Sequence, residues 1–362
     1  MVAEPKNEYN PDYVSPPGDT LAEVLESRSM AQNELAERTG RTPKLINEII
    51  KGKAPIVPET AIQLERVLSI PASFWNNRQR RFDEFLAQKK EKEKLNQNLR
   101  WPMLFPYNKM AKLHWVPDSK DRLERLRSLL NFFGVASPQS WDQHWENIQV
   151  SFRKSDTHKP NKYALAAWLR RGEQIGLEIP CKKYNEDKFR ESLKKIRSYT
   201  TLPAVEFQPK VKDICAKSGV AVAFVPELPK TASGVTKWLS SEKALIQLSL
   251  KYKTDDHLWF TFFHEAAHIL FHHKKNIFIE SSTWKSKDES EANDFAEKFL
   301  IPTKELEKFI SKPPISKQNI RIFASNLGIA PGIVVGQLQK KKHLLWEHCN
   351  DLKRKLRWSL PH

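Results

Sequence analysis

The sequence has no long apolar run and no apolar segment at its start. The most apolar stretch beside the motifs described below, Leu258–Phe263, spans six residues, whereas a membrane-spanning helix needs about 20. The first residues, MVAEPKNEYN, also lack the apolar core of a signal peptide. We therefore expect a protein of the cytoplasm that does not enter a membrane.

Cysteine is scarce, and its three copies lie far apart. Cys181, Cys215 and Cys349 form no C-x-x-C pair, the spacing expected of a redox motif or of a cysteine-held metal. We interpret them as small hydrophobic side chains buried in the fold. This disfavours a protein that depends on disulfides or on a cysteine metal cluster.

Negative charge is in deficit. The 60 lysines and arginines outnumber the 43 aspartates and glutamates, so the formal net charge is +17. An excess of positive charge attracts polyanions such as nucleic acids. Because many basic proteins bind no specific nucleic acid, DNA recognition also requires an element that reads bases.

A segment near the N-terminus, MAQNELAERTGRTPKLINEIIKG, has the spacing of a helix-turn-helix. That motif needs a small residue where two helices cross, a glycine at the turn and an apolar anchor on the second helix. Ala36, Gly40 and Ile46 supply these at spacings of four and six residues. Thr42 is the predicted N-cap of the second helix, and a proline follows at the first helical position.

The outer face of this predicted second helix suits DNA. Asparagine can form two hydrogen bonds with adenine, and lysine or arginine reaches guanine edges or phosphates. A glutamine at the start of the preceding helix is placed to hold a phosphate. A helical hairpin with an incidental polar face would show the same spacing, so the pattern alone leaves both interpretations open. The predicted DNA-contacting residues are Gln32, Arg41, Thr42, Lys44, Asn47 and Lys51.

A family resemblance favours the DNA reader. The segments NELAERTG, INEIIKGKAPIVPETAIQLERVL and IPASFWNNRQ closely resemble the HigA-type antitoxins of the Xre helix-turn-helix family, over about residues 16–80. The resemblance implies binding to operator DNA as a homodimer, repression of the protein's own gene and neutralisation of a cognate toxin.

The strongest catalytic signal is the sequence LWFTFFHEAAHILFHH. It contains an H-E-x-x-H motif formed by His264, Glu265 and His268. On a helix, positions i and i+4 project to one side, so both imidazoles can bind one zinc ion. Glu265 would lie beside the metal and act as general base toward water. His272 is one further turn along, too distant for the same ion, and is expected to cap the helix end or line the cleft.

A catalytic zinc site needs a third protein ligand and an open fourth position. Glu289 follows His268 by 21 residues, and Glu291 is a rival on the opposite side of the same predicted helix. Asn293 shares the face of Glu289 and is placed to hydrogen-bond a ligand histidine from outside the metal site.

The segments HEAAH, ESEANDFA and FLIP resemble the ImmA/IrrE zinc metallopeptidases, over about residues 200–340. The resemblance implies a gluzincin-like fold related to thermolysin and selects Glu289 over Glu291 as the third ligand. It further implies that a strand near Ala244–Leu250 lies at the sheet edge and pairs with an extended substrate. The chain departs from many relatives at Ala267, where they carry glycine, and this should not disturb the ligands.

The spacing of the helix-turn-helix returns near the C-terminus. In IRIFASNLGIAPGIVVGQL, the residues Ala324, Gly328 and Val334 are again four and six apart. The second helix of this pair offers no arginine, lysine or asparagine to read bases. We therefore expect a packing module rather than a second DNA reader.

These signals predict a multidomain α+β protein. Strand patterns cluster only at Val220–Val225 and Ala244–Leu250, and helical patterns dominate elsewhere. The predicted parts are a flexible arm (1–17), an all-α helix-turn-helix head (18–80), a charged linker and helical middle region (81–200), a gluzincin-like metallopeptidase domain with a small mixed sheet (201–310), and a helical C-terminal module (311–362).

Two functions fit this order of domains. The first is a DNA-binding repressor whose zinc endopeptidase cleaves a regulatory protein or the chain itself. The second is a non-enzymatic antitoxin whose zinc domain binds a toxin or senses a signal. The complete H-E-x-x-H motif favours the first, and a DNA-reading head disfavours a bulk degradative protease.

Overall fold

The computed structural model describes residues 13–149, 161–272, 278–279 and 287–359. Most of the predicted arm, residues 1–12, lies outside these ranges. The chain forms two compact units, Met1–Asn98 and Leu99–His362. The predicted boundaries at 80/81, 200/201 and 310/311 stay predictions. The predicted α+β multidomain fold with a small mixed sheet is confirmed.

The N-terminal unit is entirely helical in its described part. A small apolar core, centred on Leu35, Ile46 and Trp75, holds its helices together. Gly18 is required there, because a Cβ atom at this position would lie 2.0 Å from the carbonyl oxygen of Ile49. The helices are α1 (Pro17–Ser27), α2 (Gln32–Thr39), α3 (Pro43–Ile50), α4 (Pro58–Leu68) and α5 (Ala72–Asn96).

The C-terminal unit contains eleven α-helices and four strands in its described part. Its helices are α6 (Tyr107–Lys112), α7 (Arg122–Phe133), α8 (Pro138–Gln149), α9 (Lys162–Glu178), α10 (Glu186–Tyr199), α11 (Ala204–Ala216), α12 (Asp255–Phe271), α13 (Lys287–Leu300), α14 (Thr303–Ile310), α15 (Lys317–Leu327) and α16 (Pro331–Lys340). Its strands are β1 (Val220–Phe224), β2 (Gly234–Ser240), β3 (Lys243–Leu248) and β4 (Phe278–Ile279).

The sheet corrects one prediction. The strand order is β1-β3-β2-β4, with β3 parallel to β1 and antiparallel to β2. The strand predicted near Ala244–Leu250 is therefore interior, and both of its edges are already hydrogen-bonded. A largely apolar strand of this kind is typical of the buried centre of a sheet, where no substrate can pair with it.

One hydrophobic core links the sheet to the C-terminal helices. It extends from Phe189 to Leu356 and includes the apolar face of α12. Helix α12 packs against β2, β3, α13 and α16. Residues of the predicted C-terminal module, such as Ile320 and Val334, contribute to the same core.

No helix of the described ranges is by itself long and apolar enough to cross a membrane. The pair α15 and α16, bent by 113°, passes that test together by length and composition only.

Arg197 ties together the ends of two helices of the C-terminal unit. Its guanidinium donates hydrogen bonds to the carbonyl oxygens of Phe299, Leu300 and Leu327 at 2.8–3.1 Å. These carbonyls lie at the C-termini of α13 and α15, where helices have no internal donors for them. Burial lowers the pKa of Arg197.

We expect Arg197→Met to lower the free energy of unfolding by about 2–4 kcal/mol, because several carbonyls lose a charged donor. Arg127, which is exposed on α7, provides the matched control, and Arg127→Met should change stability by less than about 0.5 kcal/mol. Urea unfolding of both variants measures the difference. Equal stabilities would show that Arg197 does not anchor these helix ends.

Candidate metal centre and nucleic-acid interface

His264 and His268 lie on α12, a helix whose side chains are mostly buried. In α12, the side chains of Trp259, Phe262 and Phe263 are at most 2 % exposed. This apolar surround fixes the rotation of the helix about its axis. His264 and His268, one turn apart, consequently point together into the interior.

The structure brings His264, His268 and Glu289 into one cluster. The two Nε2 atoms are 3.0 Å apart. Glu289 Oε2 lies 3.2 Å from His264 Nε2, and Glu289 Oε1 lies 3.5 Å from His268 Nε2. All three side chains are at most 2 % exposed.

These distances fit a zinc ion. With zinc–ligand bonds of 2.0–2.1 Å, the edge of a tetrahedral site is about 3.3 Å. The three observed separations scatter around that edge, and two imidazole nitrogens with a carboxylate are donors that zinc accepts. Burial lowers the pKa of His268 to about 2, with help from His264 and His272. The imidazole is therefore neutral and has a lone pair available for a metal.

Two side chains orient the imidazoles from outside the cluster. Asn293 Oδ1 lies 3.1 Å from His264 Nδ1, the contact for which the sequence spacing suggested Asn293. His272 Nδ1 lies 2.7 Å from His268 Nδ1. Because each Nδ1 atom is engaged, each Nε2 atom is directed at the cluster.

The contact of His272 is a feature that the sequence reasoning missed. The α-helix ends at Phe271, and His272 has an extended backbone with φ −112° and ψ 161°, so its ring turns back onto His268. Its i+4 spacing from His268 was the available signal. Glu291 Oε2 lies 3.6 Å from His272 Nε2, and so the rival carboxylate faces His272 rather than the cluster.

The Glu265 side chain is held in place by strand β2. The Thr236 hydroxyl lies 2.7 Å from Glu265 Oε2 and 2.9 Å from the Glu265 carbonyl oxygen. A Cβ atom at Gly234 would lie 2.7 Å from Glu265 Oε1, so only glycine leaves room for this carboxylate. Gly234 and Thr236 are therefore part of the site, although the sequence motif did not single them out.

A cavity of about 420 Å³ adjoins the cluster and is lined by His264, Glu289 and Asn293, among others. Its volume is in the range of ligand-binding pockets. The cluster can thus be reached from a cleft, as chemistry on a substrate requires.

In the N-terminal unit, α2 and α3 have the turn that the sequence predicted. Gly40 has φ 66° at the end of α2, a conformation that favours glycine. The Thr42 side chain accepts a hydrogen bond from the Leu45 amide at 3.2 Å and caps α3. Ile46 and Ile49 are buried.

The outer face of α3 is polar and accessible. Lys44 and Lys51 are exposed, and Asn47 is half-buried. Gln32 is exposed at the start of α2. The face therefore presents amide and ammonium groups to solvent, the kinds of donor that base and phosphate contacts use.

Arg41 is differently placed. Its Nε atom donates to Gln63 Oε1 at 2.6 Å, and its guanidinium lies 3.1 Å from Glu59 Oε2. Both partners lie on α4. Arg41 would have to give up these interactions before it could contact a base. In this structure it fixes α4 beside the α2–α3 pair.

The second segment with helix-turn-helix spacing, formed by α15 and α16, has a different environment. Gly328 ends α15 with φ 65°, as Gly40 ends α2. Helix α16, however, has Ile333, Val334 and Leu338 buried, and it packs against α12 and α15. The positions of α16 that correspond to Lys44, Asn47 and Lys51 of α3 are also buried inside the C-terminal unit.

Comparison with known proteins identifies both regions. Residues 215–327 match the family model of the IrrE N-terminal-like domain, a peptidase family. Residues 21–75 match the helix-turn-helix family model. The chain joins a helix-turn-helix domain to an IrrE N-terminal-like domain. The two domain resemblances predicted from sequence are thereby confirmed.

Solved structures similar to part of the chain are described as antidote proteins. One is a HigA-family addiction module antidote protein from Coxiella burnetii, with 29 % identity and a TM-score of 0.22; it covers 23 % of this chain and 92 % of its own. Another is a putative antidote protein of a plasmid maintenance system from Nostoc punctiforme, with 29 % identity and a TM-score of 0.23, covering 23 % of this chain and 91 % of its own. No curated protein matches the chain.

Metal binding by the cluster of His264, His268 and Glu289 can be tested directly. After zinc loading and dialysis, we expect about one zinc per chain, lost in His264→Ala, His268→Ala and Glu289→Gln, because each removes one of three ligands. Glu291→Gln, a change of the same kind two residues from Glu289, should retain zinc. Metal analysis by mass spectrometry measures the content, and a loss in Glu291→Gln with retention in Glu289→Gln would reverse the ligand choice.

Proposed function

We propose that the chain is a DNA-binding regulator of the antitoxin or repressor type whose IrrE N-terminal-like domain is a zinc-dependent endopeptidase. Its substrate is a regulatory protein or the chain itself. The observation that carries the proposal is the buried cluster of His264, His268 and Glu289, with the Glu265 carboxylate held beside it and a cavity alongside.

Within this proposal the two histidines and Glu289 hold the metal. A bound zinc ion would polarise a peptide carbonyl and lower the pKa of water to about 7. Asn293 and His272 fix the imidazole rings, so that little reorganisation is needed when the cluster binds its ion.

Glu265 takes a proton from the attacking water and delivers it to the leaving amine. The hydrogen bond from Thr236 fixes Oε2 and so sets the plane of the carboxylate. The absence of a side chain at Gly234 keeps space open around Oε1. These contacts set the carboxylate before substrate arrives, which is the condition for efficient general base catalysis.

The helix-turn-helix domain brings this chemistry to an operator in the cytoplasm. Asn47 and Lys44 lie on the accessible face of α3, and a homodimer would place two such helices at successive half-sites. The resemblance of residues 16–80 to HigA-type antitoxins supports a cognate toxin as a further partner. Cleavage near a DNA-binding domain would end repression, and this connects the two activities.

The peptidase proposal predicts that Glu265→Gln keeps its zinc and loses proteolysis by about 10²–10⁴-fold, since the general base is removed and the ligands are retained. Wild type and variant are incubated with zinc, alone and together with a peptide library, and new termini are identified by intact mass and terminal labelling. Wild type without zinc is the second control.

Identical termini from both proteins, or no zinc-dependent termini from wild type, would contradict the endopeptidase. Unchanged operator regulation by Glu265→Gln in cells would then favour the non-enzymatic antitoxin.

The DNA-binding proposal predicts different consequences for two residues of α3. Asn47→Ala should weaken binding to the selected operator by about 1–3 kcal/mol and leave nonspecific DNA binding unchanged, because a base contact is lost. Lys44→Ala should weaken both and reduce the salt dependence by about one phosphate contact.

Operator sequences selected from a random library are titrated in fluorescence anisotropy at several salt concentrations. Lys90→Ala, an exposed lysine of α5, is the control and should bind as wild type does. Equal binding by Asn47→Ala and wild type would show that α3 is not the reading helix.

A further inference from the structure

The cavity beside the cluster of His264, His268 and Glu289 is lined by many residues that take no part in the cluster. Residues of α12, α13 and α16 form its sides, and His264, Glu289 and Asn293 lie at the cluster end. A peptide whose scissile bond reached the cluster would therefore have one neighbouring side chain at this cavity.

Apolar and aromatic side chains form part of the cavity walls beside the polar ones. Phe260 of α12, Leu300 of α13 and Ile333 of α16 contribute to the lining. At the mouth, Tyr252 and Trp346 are large hydrophobic side chains that are 48 % and 63 % exposed. Exposed aromatic side chains around a pocket favour an aromatic partner, because ring contacts add to the burial of apolar area.

Among the described residues, the carboxylates at this cavity each have a partner, and one lysine does not. Asp256 is neutralised by Lys353 at 2.8 Å. The two carboxylate oxygens of Glu297 lie 2.9 Å from the ammonium groups of Lys340 and Lys341. In the described part of the chain Lys251 has no carboxylate partner, and its ammonium lies 5.5 Å from the centre of the Tyr252 ring. A negatively charged group of a substrate would therefore find complementary charge at the mouth.

We propose that this cavity is the specificity pocket of the peptidase, an assignment that rests on the proposed function. The pocket accepts a large aromatic side chain next to the scissile bond, and Lys251 holds an acidic residue of the same peptide. Apolar side chains of α12, α13 and α16 surround the ring, and Trp346 and Tyr252 cover it at the mouth. The occupant is a protein substrate with an aromatic and an acidic residue close together.

Binding to the catalytically blocked protein tests the pocket separately from catalysis. Zinc-loaded Glu265→Gln is titrated into labelled alanine-based peptides that carry a central tryptophan and a neighbouring aspartate. Matched peptides replace the tryptophan by alanine or the aspartate by lysine. Fluorescence anisotropy gives the dissociation constants.

The tryptophan peptide should bind at least about tenfold more tightly than its alanine counterpart, as burial of an aromatic side chain predicts. In the Glu265→Gln background, Trp346→Ala should remove most of this preference. Leu345→Ala is the matched control, since Leu345 is 66 % exposed but does not line the cavity, and it should keep the preference. Lys251→Glu should reverse the preference for aspartate over lysine. Lys312→Glu, at an exposed lysine that does not line the cavity, should not.

Equal binding of the tryptophan and alanine peptides, or equal effects of Trp346→Ala and Leu345→Ala, would overturn the pocket assignment. Aromatic-selective binding by the blocked protein without any cleavage by wild type would leave the pocket standing and refute the peptidase. Zinc-dependent cleavage without an aromatic preference would support the peptidase and refute the pocket assignment.

Discussion

The C-terminal unit depends on a cluster of polar side chains that are almost fully buried. Burial of a carboxylate and two imidazoles without compensation costs several kcal/mol, so neighbouring side chains must offset that cost. The Glu289 carboxylate contacts both Nε2 atoms, Asn293 and His272 engage the Nδ1 atoms, and the Thr236 hydroxyl donates a hydrogen bond to Glu265 Oε2. The sheet, α12 and α13 are thereby held in a single arrangement, because a shift of any one separates donor from acceptor.

The N-terminus of α12 is fixed by a further set of contacts. Asp255 accepts from the Arg354 amide at 3.0 Å, and Asp256 pairs with Lys353 at 2.8 Å. The Leu356 amide donates to the carbonyl oxygen of Lys253. The last described segment of the chain is therefore a brace for the helix that carries His264 and His268. These contacts join the helices of the predicted C-terminal module to the core that surrounds His264, His268 and Glu289.

The sequence was most informative where spacing and side-chain chemistry act locally. The i, i+4 histidines, the capping Thr42 and the left-handed Gly40 follow from helix geometry alone, and the structure has these local features. The position of β3 could not be read in the same way, because strand order depends on contacts between distant residues. The roles of Gly234 and Thr236 were hidden for the same reason: each acts on a glutamate about 30 residues later, and neither type of residue indicates catalysis by itself.

The repeated helix-turn-helix spacing shows what such a pattern encodes. Ala36, Gly40 and Ile46 recur as Ala324, Gly328 and Val334, and both glycines adopt positive φ values of similar size. The spacing therefore specifies how two short helices pack, and it carries no information about DNA. The difference lies in the residues that point away from the pair. Lysine and asparagine keep the outer face of α3 in water, whereas isoleucine and valine draw α16 into the core against α12.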